Sequence, residues 1–274
     1  MIGIGRLSLN QATVKSLTLP QTLDLCVRHE IPAVGLWRDR VAELGLAESA
    51  GAVRSSGLHV STLCRGGFFT HPDPGARRAA LADNMAAIEE AATLQADALV
   101  LVSGGLVAGS RDLGLARRMI ADAIAGIVPR AQELGVRLGI ESLHPMFCAD
   151  RCVLASLGDA VDLALLFPAS TVGVVVDTYN VWWDSRAGAD IARARGRIVS
   201  YQLSDWVSPL PADALLGRGH LGDGSVDFAS ISGQVLEAGY EGYAEVEIFN
   251  QRVWDAPADT TAATVKARFA DLSG

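Results

Sequence analysis

The sequence lacks any apolar run approaching the roughly 18 consecutive residues that a membrane-spanning helix needs. It also lacks basic clusters: 23 Lys and Arg are scattered among 31 Asp and Glu, for a net charge of −8. A nucleic-acid-binding protein needs a basic face to neutralise phosphates, so we expect neither a nucleic-acid nor a membrane partner. Half of the 274 residues are hydrophobic, which indicates a globular protein with a small neutral or metal-bridged substrate.

Cysteine is scarce, and its four positions form no CxxC pair. The amino terminus, MIGIGRLSLN, has neither the basic start nor the long apolar stretch of a secretory signal. We therefore expect a cytoplasmic protein whose thiols are reduced. The cysteines are Cys26, Cys64, Cys148 and Cys152.

Short apolar runs alternate with helical patterns along the whole chain. The runs are rich in β-branched and small residues, as in parallel strands that are buried on both faces. The helical patterns place apolar residues three and four positions apart. The predicted strands are 2–7, 33–37, 59–64, 98–104, 136–141, 171–177, 198–202 and 243–247, and the predicted helices are 19–30, 77–95, 115–135, 157–167, 189–196 and 228–239.

Eight strands that are each followed by a crossover predict an α/β protein, a (β/α)8 TIM barrel that forms one domain over residues 1–274. The rival is an open doubly wound sheet, which would carry a GxGxxG fingerprint after its first strand. Residues 3–10, GIGRLSLN, lack the third glycine. The segment 206–227 is rich in glycine and proline and too long for a minimal loop, so we expect a lid or substrate loop there.

Four predicted strands end in an acid or an amide: Glu141, Asp177, Gln202 and Glu247. Since the carboxyl ends of barrel strands meet at one rim, we expect these side chains to converge. A single acid could merely cap a helix or pair with Arg, but stability alone gives no reason to crowd three negative charges. Such an oxygen-rich set predicts a divalent metal site for Mn²⁺ or Mg²⁺, with Co²⁺ possible and Zn²⁺ less favoured without histidine.

Further residues near the rim are candidate substrate contacts. Each has a structural alternative, since an arginine can pair with a neighbouring acid, a loop histidine can face solvent and a tryptophan can pack in the core. The candidates are Arg65 after the third strand, His144 close to Glu141, Arg218 and His220 in the glycine-rich segment GRGHLGDG, and Trp183 and Trp206 past strand ends.

Five segments, taken together and in order, resemble the xylose-isomerase-like TIM barrels, a superfamily of sugar phosphate isomerases and epimerases. The resemblance implies that Glu141 and Glu247 are metal ligands and the acid/base pair, and that Asp177 is a ligand. The family commonly has histidine at two positions where this chain has another residue. The first is Asn180, which is a substrate-contact position in the family. The second is Gln202, a metal-binding position, where glutamine keeps an oxygen ligand, as in hydroxypyruvate isomerase-like members. The segments are GIESLHPMFCADR (139–151), GVVVDTYNVWWD (173–184), YQLSDW (201–206), GRGHLGDGSVDF (217–228) and YAEVEIFN (243–250).

These features predict a divalent-metal-dependent isomerase or epimerase of a ketose, a keto-polyol or a hydroxypyruvate-like acid. One glutamate would remove the proton α to the carbonyl, the metal would stabilise the enediolate, and the other glutamate would return a proton. Two alternatives stay open: a metal-dependent dehydratase or lyase of a keto-sugar, which shares the enolate, and a sugar-binding barrel without catalysis. The outer helices would allow a homo-oligomer, and no feature demands one.

Overall fold

Eight parallel strands close into a barrel in the computed structural model, which describes residues 2–272. Seven strands follow one another around the barrel, and the last in sequence closes it against the first. The (β/α)8 prediction is therefore confirmed. The barrel strands are β1 (Leu7–Asn10), β2 (Ala33–Trp37), β3 (His59–Gly67), β4 (Leu99–Val102), β5 (Leu138–Glu141), β6 (Val172–Asp177), β7 (Ile198–Leu203) and β10 (Ala244–Val246); a short antiparallel ribbon is formed by β8 (Asp205–Trp206) and β9 (Arg218–Gly219).

Helices surround the barrel, and none in the described part of the chain is long and apolar enough to cross a membrane. The six predicted helical patterns all form helices, and five helices come from segments without a helix prediction. Helix α5 ends at Gly135, whose φ of 68° is left-handed, as expected for a terminal glycine. The helices are α1 (Leu19–Arg28), α2 (Arg38–Leu44), α3 (Leu46–Ser56), α4 (Pro74–Leu94), α5 (Leu113–Leu134), α6 (Leu157–Ala164), α7 (Thr178–Val181), α8 (Ala187–Arg193), α9 (Phe228–Glu237), α10 (Gln251–Asp255) and α11 (Ala258–Asp271).

The prediction of the first strand at 2–7 was wrong. Residues Ile4–Arg6 form a 3₁₀ turn, and the strand begins only at Leu7. The Arg6 side chain donates hydrogen bonds to the carbonyls of Tyr240 and Gly242, which hold this turn at the entrance to β10. Ile2 is buried but Ile4 in the turn is exposed, and the alternating segment Leu7–Asn10 supplies the strand.

Polar side chains fill one side of the barrel interior. Glu245 on β10 accepts hydrogen bonds from Ser61 and Thr62 on β3, although β3 and β10 are not neighbours in the sheet. Their side chains must therefore meet across the interior. Glycine makes the space: a Cβ added at Gly35 of β2 would lie 2.5 Å from a Glu245 carboxylate oxygen.

Gly173 of β6 is a second position where only glycine fits, and substitution tests the packing of the barrel. A Cβ there would lie 2.1 Å from the Arg197 carbonyl oxygen and 2.4 Å from the Val199 Cγ1. Because the obstacle includes backbone, we expect Gly173→Ala to lower the free energy of unfolding by about 3 kcal/mol, the upper end of ordinary overpacking. Urea denaturation measures this loss.

Gly233→Ala is the matched control. Gly233 lies inside α9, and nothing stands within 4 Å of its added Cβ. Alanine should stabilise the helix there by about 0.5–1 kcal/mol. Equal effects of the two substitutions would contradict the packing argument.

Candidate active site

The four polar residues predicted at strand ends do lie at one rim of the barrel. Glu141 and Asp177 are the last residues of β5 and β6, Gln202 is the penultimate residue of β7, and Glu247 directly follows β10. In the sheet register Asp177 lies beside Gln202, and all four side chains are buried. Charged groups are rarely buried without partners, so their contacts show how the rim is held together.

Asn180 links two of the carboxylates. Its amide nitrogen donates to Asp177 Oδ2 at 2.7 Å and lies 3.3 Å from Glu141 Oε1. Its carbonyl oxygen accepts from the backbone N–H of His144, which fixes which end of the amide faces the acids. Asn180 is thus a buried bridge beneath the rim, and the predicted substrate contact at this position stays a prediction.

The long loop after β7 carries a positively charged side chain, that of Arg218, to the rim. Buried Asp205 accepts hydrogen bonds from the backbone N–H groups of Gly222, Gly224 and Val226 at 2.8–3.0 Å, which tie the loop back onto itself. The loop therefore has a defined fold, and its ribbon strand β9 starts at Arg218.

Arg218 inserts its guanidinium among the acids. Its side chain is only 3% exposed, with Nη2 2.8 Å from Asp177 Oδ2 and Nη1 3.4 Å from Glu247 Oε2. The rings of Tyr179 and Phe249 flank it at 4.8 and 5.2 Å. Burial alone would lower the pKa of Arg218, but the neighbouring carboxylates outweigh burial and raise that pKa above its ordinary value. Arg218 is therefore permanently charged.

Glu141 and Glu247 have strongly perturbed acidities. Burial raises the pKa of Glu141 well above 4.5, and the charges of Asp177 and Glu247 add to the rise. Burial also raises the pKa of Glu247 to about 8, with Arg218 opposing the shift. Carboxyls whose pKa is raised above the ordinary range are suited to accept and return a proton.

Both glutamates face one cavity of about 190 Å³. The predicted contacts Arg65 and Arg218 also line it, and Trp37, Phe68 and Phe249 form apolar walls. The Arg65 guanidinium lies 4.3 Å from the centre of the Phe68 ring and makes no hydrogen bond or ion pair to any residue between 2 and 272. This charge is therefore available to a ligand in the cavity.

The other predicted contacts lie outside the lining of this cavity. The His144 ring centre lies 5.0 Å from that of Trp183 and 5.2 Å from that of Trp206, so these three form an aromatic cluster. Burial lowers the pKa of His144, and its Nδ1 accepts a backbone hydrogen bond, which favours the neutral ring. Burial likewise lowers the pKa of His220. The structure shows no ligand-facing role for these four residues, whose predicted contacts stay predictions.

Glu245 is a buried acid at the site that the sequence analysis did not single out. The alternation in Tyr243–Glu247 contains the signal, because residues two apart on a strand face the same side, so Glu245 points inward together with Glu247. Glu245 accepts hydrogen bonds from the side chains of Asn10, Ser61, Thr62 and Gln202.

Two overlapping groups of residues have the chemistry to hold a cation. The first is the rim set Glu141, Asp177, Gln202 and Glu247, where the Gln202 carbonyl oxygen is buried and has no hydrogen-bond partner within residues 2–272. The second is Cys64, Glu245 and Glu247, whose ligand atoms lie within 4.8 Å of one another. Glu245 already accepts from four donors, and both Asp177 oxygens also accept hydrogen bonds, from Tyr179, Asn180 and Arg218. The Gln202 carbonyl oxygen is therefore the buried acceptor that is left without a donor within residues 2–272.

Known proteins are similar to this chain over nearly its whole length. A family model described as a xylose isomerase-like TIM barrel matches residues 23–269. The solved structure of protein SMc04130 from Sinorhizobium meliloti 1021 has a TM-score of 0.95 and 43% sequence identity, with 98% of each chain covered.

More distant similarities point to the same fold. The inosose isomerase of Bacillus velezensis is 22% identical over 271 residues, which are 95% of this chain and 94% of that protein. A solved structure of the IolI protein with a bound zinc atom has a TM-score of 0.85 at 18% identity, with 97% of each chain covered. At that identity the likeness shows the fold alone.

The raised pKa of Glu247 predicts a pH dependence of stability in chelator-treated protein. Between about pH 4.5 and 8 the folded state holds a proton that the unfolded state has lost. Stability therefore falls as pH rises through this window, by up to about 1.4 kcal/mol per pH unit from this group. Glu247→Gln cannot titrate, so its free energy of unfolding should fall less steeply with pH.

Urea denaturation of both proteins at pH 5, 6, 7 and 8 in EDTA measures the slopes. Glu48→Gln is the matched control, because Glu48 is exposed on α3 and makes no ion pair within residues 2–272. Identical slopes for the wild type and Glu247→Gln would show that Glu247 has an ordinary pKa.

Proposed function

Because the chain belongs to the xylose isomerase-like TIM barrel family, we propose that it is a divalent-metal-dependent isomerase or epimerase of a small hydroxy-carbonyl compound. The observation that carries this proposal is the pair Glu141 and Glu247, two buried glutamates with raised pKa values that face one cavity. An inosose isomerase among the relatives supports a sugar-like substrate, such as a ketose or a keto-polyol.

The rim residues fit a hard divalent cation. Glu141, Asp177, Gln202 and Glu247 would hold it, and the Gln202 carbonyl oxygen is a ligand atom that no hydrogen-bond donor within residues 2–272 uses. Carboxylate and amide oxygens suit Mn²⁺ or Mg²⁺. When bound, such a cation supplies Lewis-acid polarisation of the substrate carbonyl.

The proton is moved by the protein's own glutamates. One of the pair, in its ionised form, removes the proton α to the substrate carbonyl, and the other, in its protonated form, returns a proton to the neighbouring carbon or the opposite face. Arg218 stays charged beside Glu247 and limits how far the pKa of Glu247 rises. Each glutamate can thus exist in the form its step requires.

The remaining walls of the cavity orient the substrate and exclude water. The Arg65 guanidinium has donors to spare and would bind a carbonyl, enediolate or carboxylate oxygen of the substrate. Trp37 and Phe249 form a ring contact, with centroids 5.7 Å apart, and cover the apolar side. A dry cavity protects a reactive enediolate from side reactions.

Solvent exchange tests the proton-transfer proposal directly. The metal-supplemented protein is incubated in D₂O with hydroxypyruvate, D-fructose and an inosose, and deuterium uptake into each compound is followed by NMR. We expect Glu141→Gln and Glu247→Gln each to lower exchange and turnover by about 10²–10⁴-fold, because each removes a proton carrier. Both variants should remain folded, since glutamine fills the same space.

Glu48→Gln again provides the control and should match the wild type. Exchange at the wild-type rate in both rim variants would overturn the mechanism. The NMR product spectrum also separates isomerisation from the alternative elimination, because only elimination releases a leaving group from the β-carbon.

A further inference from the structure

Glu245 has no part in the proton transfer, yet it is fully buried directly below the rim. Its carboxylate accepts from Asn10 at 2.6 Å, Ser61 at 2.5 Å, Thr62 at 2.8 Å and Gln202 at 3.2 Å. All four partners are neutral donors. A buried carboxylate that receives hydrogen bonds only from neutral donors is costly to keep, which indicates that its contacts position another group.

One of these donors is held in a single orientation. The Asn10 carbonyl oxygen accepts from the Trp37 indole N–H at 2.8 Å and from the backbone N–H of Ala12 at 2.9 Å. The Asn10 amide nitrogen must therefore face Glu245. Oε1 of Glu245 is the atom that receives this bond, which holds that oxygen in place as an acceptor.

The same oxygen determines the orientation of Gln202. Glu245 Oε1 lies 3.2 Å from the Gln202 amide nitrogen. An amide oxygen at this position would repel the carboxylate, so the NH₂ end of Gln202 is the end that faces Glu245. Its carbonyl oxygen is then directed away from Glu245, buried and without a partner within residues 2–272.

We infer that Glu245 is a positioning residue that orients the Gln202 amide so that its carbonyl oxygen faces the cation site. This inference rests on the proposed metal-dependent function. It extends that function to a residue that contacts Gln202 but contacts neither the substrate nor the other three rim ligands. Gly35 supports the arrangement, because a side chain there would occupy the space of the Glu245 carboxylate. With the carbonyl presented, the four rim ligands all offer oxygen atoms, which favours Mn²⁺ over softer ions.

Mn²⁺ affinity of the purified, chelator-stripped protein tests the inference, measured by calorimetric titration without substrate. Glu245→Met removes the hydrogen-bond acceptor while keeping a side chain of similar length, so the Gln202 amide is free to turn its NH₂ group toward the cation. We expect the dissociation constant for Mn²⁺ to rise about 10–100-fold, as for other outer-sphere partners of metal ligands.

Glu245→Gln separates orientation from charge. Asn10 still requires an acceptor, so the new amide must place its oxygen where Oε1 was and its NH₂ toward the hydroxyls of Ser61 and Thr62, which can rotate to accept. Gln202 keeps its acceptor, and we expect Mn²⁺ affinity within about threefold of the wild type. Ser61→Ala, which removes a bond to Glu245 without touching Gln202, should behave in the same way.

A double-mutant comparison shows whether Glu245 acts through Gln202. Gln202→Ala removes the ligand oxygen, so adding Glu245→Met to it should weaken Mn²⁺ binding by less than about twofold further. Additive losses would overturn the inference, and so would wild-type affinity in Glu245→Met. A tenfold loss of Mn²⁺ affinity in Glu245→Gln would overturn it as well, even if Glu245→Met fails to fold.

If the wild type binds no Mn²⁺, the proposed metal centre is wrong too, whereas unchanged affinity in Glu245→Met removes only the role of Glu245.

Discussion

The ion pairs of the buried Arg218 guanidinium with Asp177 and Glu247 are the interaction on which the rim depends. Three carboxylates at the carboxyl ends of β5, β6 and β10 would repel one another strongly in a low-dielectric interior. Arg218 reaches them because the loop that carries it is fastened by buried Asp205. The long loop therefore supplies a fixed positive charge to a barrel that would otherwise concentrate negative charge at one end.

A single arginine does not balance three acids, and this imbalance connects the structure to its chemistry. Two negative charges remain to be compensated, either by protons on Glu141 and Glu247 or by one divalent cation. The raised pKa values of Glu141 and Glu247 favour compensation by protons. The Gln202 carbonyl oxygen, which has no hydrogen-bond partner within residues 2–272, favours compensation by a divalent cation. A site poised between the two suits an enzyme that uses one set of side chains both to bind a cation and to move a proton.

Sequence patterns predicted most of the barrel because parallel strands buried on both faces are continuously apolar and end where polar residues appear. The same rule located Glu141, Asp177 and Glu247. It failed at the first strand, where Ile4 lies in a 3₁₀ turn and is exposed instead of pairing within the sheet. Contacts between distant segments, such as the bridge made by Asn180 and the layer around Glu245, depend on side-chain orientation across the barrel, which local patterns do not encode.

The number of protons released when Mn²⁺ binds tests this charge balance most directly. Calorimetric titration of the chelator-stripped protein at pH 6, in buffers with different ionisation enthalpies, gives that number. The account predicts that Mn²⁺ binding releases protons at pH 6, because the cation competes with protons held by buried carboxyls of raised pKa, and that the release is smaller near pH 9, above the pKa of about 8 of Glu247. Mn²⁺ binding without proton release at pH 6 would contradict the account.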